Sequence, residues 1–403
     1  MSGSVWSGLF TKRVIMKKII PFTILIIALL SFNCTSNKNA NPDNKIAIQT
    51  LSFPDTGEDT LKASYFADTV IYIPLETTSE SLVGSIRSLW MNDSYILVNS
   101  RNTPLLLFQR DGKFVRKIGK LGRGPGEYEG LENFCVIQDT IYIPNSGKRN
   151  VLRYKLDGTF CDEIKFKPFP DYLATAPDNK LVSYIAPEGK VYIYNQDFYA
   201  SDTNIVEYGV TTGRYKWVLG SYFMPPLQKT PTGLLFYDGI SDTVWNIDGN
   251  KKEPAYILNI KNKLPFDKQV EFSNGNINEW GNMVRPYIRV HLIPFTSMII
   301  VIQHNWWVGT DNAFYLNNME TGEIKRFNTN YIYDDIVSHQ KLMFTFQTHS
   351  EDYDYLVTTV LGPERDKNKL KGDPSPLWLN LVKSVKETDN PILSLVKLKK
   401  NLQ

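Results

Sequence analysis

Residues 89–118 recur without a gap 46 positions later, at 135–164. Asp93, Asn99, Ser100, Leu106, Asp111, Gly112, Phe114 and Ile118 match Asp139, Asn145, Ser146, Leu152, Asp157, Gly158, Phe160 and Ile164. A period in the forties, built from short β-type runs and turn residues, is the mark of a β-propeller blade, in which four antiparallel strands form one unit and neighbouring units bury each other's faces. The first unit reads as strands at Ile86–Met91, 95–99, Leu105–Gln109 and Phe114–Ile118, with Asp111-Gly112 as the tight turn between the third and fourth. The second unit repeats this at 134–137, 141–144, 151–155 and 160–165.

An aromatic-x-x-Asp element at the third turn extends the phase. Phe108 to Asp111, Tyr154 to Asp157, Tyr194 to Asp197 and Trp245 to Asp248 give Asp-to-Asp intervals of 46, 40 and 51. A looser fifth unit is expected at 298–303, 306–308, 313–317 and Ile324–Phe327. A sixth would use 342–347, 353–360 and Ile392–Leu398. Its fourth strand is then 69–74, a strand-like run with no unit before it, which closes the ring and removes a free sheet edge. Two polar inserts, 262–287 and 363–376, interrupt the rhythm, and long loops of this kind are more often functional than structural.

The N-terminal segment reads as export machinery. Met16-Lys17-Lys18 is a basic start, residues 19–30 are largely apolar, and Cys34 follows. Twelve residues at roughly 1.5 Å each span about 18 Å, short of a ~30 Å hydrocarbon core. A cysteine directly after a short apolar run resembles the lipobox of bacterial lipoproteins, which implies lipidation of Cys34; the flanking Ser31-Phe32-Asn33 departs from that pattern, and simple secretion or a retained anchor are the alternatives. The division expected is signal peptide with an upstream extension at 1–33, lipidated cysteine and tether at 34–60, and one propeller at 61–403. The resulting address is the cell envelope, anchored to the outer membrane.

The net charge of +3 includes four basic residues before Cys34, so the mature chain carries −1, which lacks the electrostatic footprint of a nucleic-acid binder. Cys135 falls on a first strand and Cys161 on a fourth, about 14 Å apart at ~4.8 Å per strand step, too far for a disulfide. Both are expected to be buried free thiols.

The motifs Gly122-Arg123-Gly124-Pro125-Gly126-Glu127-Tyr128, Tyr72-Ile73-Pro74-Leu75-Glu76-Thr77, Leu82-Val83-Gly84-Ser85-Ile86 and Asn390-Pro391-Ile392-Leu393 carry a resemblance. With Lys113 to Gly119 they look like NHL-type repeats, and together they resemble a family of bacterial six-bladed β-propeller lipoproteins, largely of unknown function. The resemblance implies six blades and nearly the whole mature chain in one propeller.

No chemistry-bearing motif stands out. The three glycines at 122, 124 and 126 are followed by no Gly-Lys-Ser/Thr and open no helix, so a phosphate cradle is disfavoured. Four histidines lack zinc spacing, and no nucleophile elbow is present. No metal or cofactor is expected, and catalysis is less expected than binding. Trp217, Trp280, Trp306 and Trp307 are candidate sugar-stacking groups, weighed against core packing.

Antiparallel four-stranded units place the crossing from each fourth strand to the next first strand on the same face as the loops between second and third strands. Arg101, Asn102, Arg123, Glu127, Tyr128, Lys148 and Arg149 should therefore share one rim, and a concave polar mouth is the default binding site. The expected protein is a monomeric, non-catalytic envelope lipoprotein binding a glycan, peptide or protein partner there. The alternative is a propeller lyase or hydrolase acting on polysaccharide or peptide.

Overall fold

The computed structural model describes residues 48–400, apart from 177–178, 186–189, 196–197, 199–204, 208–225, 231–232, 238, 240, 249–250, 266–267, 269–285, 306–311, 345–347, 351–354 and 361–372. Cys34, the export segment and the four tryptophans singled out above lie outside the described residues. The chain divides into Met1–Ala47 and Ile48–Gln403. The second unit is an all-β propeller. No helix among the described residues is long and apolar enough to cross a membrane.

Its strands form seven sheets where six were expected: six carry four to six strands, and the seventh is a two-stranded ribbon. Sheet I contains Ile86–Met91, Tyr95–Ser100, Leu105–Gln109 and Phe114–Ile118, and sheet II contains Cys135–Ile137, Thr140–Asn145, Asn150–Lys155 and Phe160–Ile164. Sheet III follows with Tyr172–Thr175, Leu181–Ile185, Lys190–Ile193 and Ile205–Glu207. Sheet IV is built from Leu227–Lys229, Leu234–Phe236, Thr243–Asp248 and Lys251–Asn259. Sheet V takes Ile288–Pro294, Met298–Asn305, Ala313–Asn318 and Ile324–Phe327. In sheet VI, Lys341–Phe344, Tyr355–Val360 and Ile392–Leu398 are joined by Ala67–Pro74 from the other end of the chain, with Val70 opposite Val396 and Ile73 opposite Leu393.

The strands read as unbroken apolar runs because both faces of each sheet are covered. In sheet I, Ile96, Val98, Leu106 and Phe108 pack toward sheet VI, while Leu97, Leu105 and Leu107 pack toward sheet II. That is the period-two alternation of a strand with two buried sides. The six apolar clusters each draw on successive sheets, and one of them joins Ile73, Val357, Leu393 and Leu395 of sheet VI to Leu89, Met91 and Ile96 of sheet I.

The repeat extends to backbone irregularity. The pairing of third and fourth strands shifts register at Phe108 in sheet I, at Tyr154 in sheet II and at Trp245 in sheet IV, in each case at the aromatic of the aromatic-x-x-Asp element. A bulge there strengthens the local twist. Phe108 and Tyr154 then meet the aromatics at the start of the fourth strand, with ring centroids 5.6 Å apart for Phe108–Phe114 and 5.3 Å for Tyr154–Phe160.

Three expectations are corrected. The fifth unit begins at Ile288–Pro294, one strand earlier than Met298, because it lacks the aromatic-x-x-Asp mark that phases the others. The tether does not run to residue 60. Gln49–Ser52 adds to the outer edge of sheet IV in parallel register, Gln49 opposite Tyr256, and Glu58 is bonded to Arg326 O at 3.1 Å and to Asn328 N at 2.7 Å. Cys135 and Cys161 are both unpaired, but Cys161 is exposed, since it sits on the outermost strand of sheet II.

Candidate functional site

The glycine-rich crossing between sheets I and II folds back on itself. Lys120–Leu121 pairs in parallel with Glu127–Tyr128, forming the two-stranded ribbon. The Glu127 carboxylate accepts the Gly124 N–H at 2.8 Å and pairs with Lys120 Nζ at 2.9 Å. These two partners, the Gly124 N–H first, hold it below the usual carboxylate range. A Cβ on Gly122 would lie 2.1 Å from Glu127 Oε2, so the glycine leaves room for the carboxylate.

The rest of the rim is similarly committed. Arg123, with its side chain 87% exposed, is ion-paired with Glu129. Lys148 donates to Gly124 O at 2.7 Å and lies 3.9 Å from Glu163, which accepts the Gly126 N–H at 2.8 Å and Asn150 Nδ2 at 2.6 Å. Arg149, at φ +51, stacks its guanidinium 5.2 Å above the Phe169 ring.

Tyr128 is not a rim residue. It is fully buried, its hydroxyl accepting the Leu105 N–H at 2.9 Å and donating to Ile118 O at 2.8 Å, and burial pushes its phenol above the ordinary range. Its ring caps the apolar core between sheets I and II. Arg101 and Asn102 lie on the loop between the second and third strands of sheet I, both exposed, with Asn102 at φ +62. The structure thus brings Glu127, Lys148 and Glu163 into one polar knot, pairs Arg123 with Glu129, leaves Arg101 and Asn102 as solvated loop residues, and removes Tyr128 to the interior.

The same face opens elsewhere. Between sheets IV and V a cleft of about 290 Å³ is lined by Phe53, Asp55, Lys261, Gln303, Tyr315 and Arg326, among others. Lys261 follows the fourth strand of sheet IV and Gln303 lies near the end of the second strand of sheet V, which fixes the cleft on the crossing face. One wall is the N-terminal strap: Leu51 is fully buried in the IV–V core, and Phe53 lies against Tyr315 with centroids 4.8 Å apart. Asp55 is ion-paired with Lys261, whose hydrogen bond and charge lower its pKa. Tyr315 donates its hydroxyl to Gln303 Oε1 at 2.7 Å. Sequence reading missed this cleft because Asp55 is some 200 positions from its partners; the signal available was the alternation of Leu51 and Phe53 in a segment taken for tether.

A second cleft of about 450 Å³ lies between the same sheets on the opposite face, lined by Leu235, Tyr256, Phe295, Ile299 and Met319 with Glu253. Among the described residues no three His, Cys, Asp or Glu side chains converge as a metal site requires.

The model of a family described as a domain of unknown function, DUF4934, matches residues 49–397. The chain belongs to that family. The match begins at Gln49, the first residue of the strap's strand. No curated protein matches the chain. Among solved structures, a protein described as exported, from Bacteroides fragilis NCTC 9343, is 19% identical and aligns over 87% of this chain and 100% of its own, with a TM-score of 0.68; that likeness is one of fold. A member of the duf4221 family from Bacteroides vulgatus, at 12% identity over 83% of this chain and 97% of its own, has a TM-score of 0.42. Virginiamycin B lyase from Staphylococcus aureus, at 10% identity over 81% and 99%, has one of 0.37.

Proposed function

We propose that this DUF4934 protein is a non-catalytic lipoprotein of the bacterial cell envelope, held on the outer membrane by a lipidated Cys34, whose propeller binds a glycan, peptide or protein partner on its crossing face. Sheets I to VI are the larger units of the propeller, and the ribbon at 120–128 is a seventh, two-stranded sheet on one crossing. Apolar cores join successive sheets, including one between sheets VI and I. The pairing of Ala67–Pro74 with Ile392–Leu398 supports closure by both ends of the chain.

The observation that carries the binding reading is the cleft between sheets IV and V, where charged and amide side chains converge beside aromatic rings on the face that also bears Arg101, Asn102 and Arg149. Concave sites with a few convergent polar groups are where small-molecule and glycan ligands sit.

The test is a glycan and peptide array probed with the wild-type protein and with Arg101→Ala, Arg149→Ala and Arg326→Ala variants. Loss of a bound class in at least one variant is expected; identical profiles in all four would overturn the placement. Anchoring is tested separately by fatty-acid labelling, where Cys34→Ala is expected to abolish incorporation.

A further inference from the structure

The outermost strand of a sheet presents a row of unpaired backbone N–H and C=O groups, which another strand can take up unless charge, shortness or a covering segment prevents it. Sheets I to V each show one of those defences. Phe114–Ile118 carries Arg116 and Lys117, Phe160–Ile164 carries Asp162 and Glu163, and Ile324–Phe327 carries Lys325 and Arg326. The outer strand of sheet III, Ile205–Glu207, is three residues long. That of sheet IV is covered by Gln49–Ser52.

Sheet VI lacks all three over the middle of its outer strand. Ala67–Pro74 is eight residues long, and between Asp68 and Pro74 it reads Thr69-Val70-Ile71-Tyr72-Ile73, β-branched and aromatic residues without a charge. On one side it pairs with Ile392–Leu398, and among the described residues Thr69–Ile73 makes no other backbone–backbone bond. Ile71 is 40% exposed there. The strand is also complementary to itself. Two copies meeting antiparallel about Ile71 set Ile71 against Ile71, Val70 against Tyr72, Thr69 against Ile73 and Asp68 against Pro74. Such pairs stabilise a sheet, and no like charges face each other; in parallel register Asp68 would face Asp68. A two-fold contact of this kind uses up both edges and closes at two copies.

We infer that Thr69–Ile73 is an interface for a second copy of this chain, the two outer strands of sheet VI joining antiparallel into one continuous sheet. The contact uses the outer edge of sheet VI, so it is independent of the crossing-face reading above.

The experiment takes the full chain in a Cys34→Ser, Cys161→Ser background. Opposed Ile71 positions lie about 4.5–5.5 Å apart in such a pairing, within disulfide reach, so mild oxidation of the Ile71→Cys variant should give a covalent dimer. Phe160→Cys is the control, 42% exposed on the outer strand of sheet II, and should stay monomeric. Sedimentation equilibrium adds the affinity. One strand pair is smaller than a standard interface, so a Kd on the order of 10–100 μM is expected. Ile71→Lys should weaken it at least about tenfold with an unchanged thermal unfolding midpoint, since an edge lysine opposes pairing. Equal covalent dimer from both cysteine variants, or self-association that Ile71→Lys leaves unchanged, would overturn the inference. So would a chain that stays monomeric at about 1 mM, even if Ile71→Lys then loses an extended peptide on the array, because the edge would serve a different chain.

Discussion

At the scale of single residues, the rim divides into groups that hold the fold and groups that face solvent. Tyr128 was legible as part of a motif but not as a core residue, because a glycine-rich context looks like an open loop until the ribbon forms. Its buried hydroxyl bridges two strands, so Tyr128→Phe leaves the Ile118 carbonyl and the Leu105 N–H without that partner. Unfolding in denaturant should show a loss of about 1–3 kcal/mol. A variant as stable as wild type would return Tyr128 to the rim.

Glu127 makes the complementary case, a motif acid that works structurally in the open. Its folded pKa is depressed, so its contribution to the ribbon is complete above the ordinary value of 4.5 and is lost as pH falls through the lower folded value. The Gly124 amide resonance should therefore titrate with a midpoint below 4.5 and show no such step in Glu127→Gln. A midpoint at or above the ordinary value would contradict the contact.

At the scale of elements, local and distant information separate. The strands of sheets I and II were legible to within a residue, because the two units repeat each other and each carries an Asp-Gly turn. Gly112 illustrates what was not: a Cβ there, besides its φ of +92, would lie 2.2 Å from Pro74 O. The hairpin glycine is thus also a docking point for the strand that enters sheet VI from the N-terminal side, and Glu76 fastens it by donating its N–H to Gly112 O at 2.9 Å and accepting the Phe114 N–H at 2.7 Å. Asn390 does the same from the C-terminal side, donating to Glu76 O and Ser81 O at 2.7 Å each and accepting the Val83 N–H at 2.8 Å. Three motifs read separately along the chain are one clamp.

The strap was missed altogether, since a short alternating run beside a polar tether has no local partner. Its energetic weight is testable. Leu51 is wholly buried between sheets IV and V, so Leu51→Ala should cost about 2–5 kcal/mol in denaturant unfolding. An effect under about 0.5 kcal/mol, the size of an ordinary surface change, would mean that residues 49–53 are tether after all.

At the scale of the whole molecule, the repeat sets the plan of the units, and strands from the two ends of the propeller sequence pair in sheet VI. Among the described residues, six apolar cores each join two successive members of sheets I to VI. The last of them requires strands from opposite ends of the sequence. Segments from different units meet on the crossing face, which is why residues remote in sequence, such as Asp55 and Arg326, come to share one cleft. The most direct measurement is a cysteine pair at Thr69 and Lys397, which face each other across the closing strands, placed in a Cys34→Ser, Cys161→Ser background. Directly opposed antiparallel residues have Cα atoms about 4.5–5.5 Å apart, within disulfide reach. Mild oxidation should give a monomeric disulfide, seen by mass spectrometry of a tryptic digest as one peptide pair joining the two ends of the propeller. Free thiols at both engineered positions after oxidation of the folded protein would contradict the closed ring.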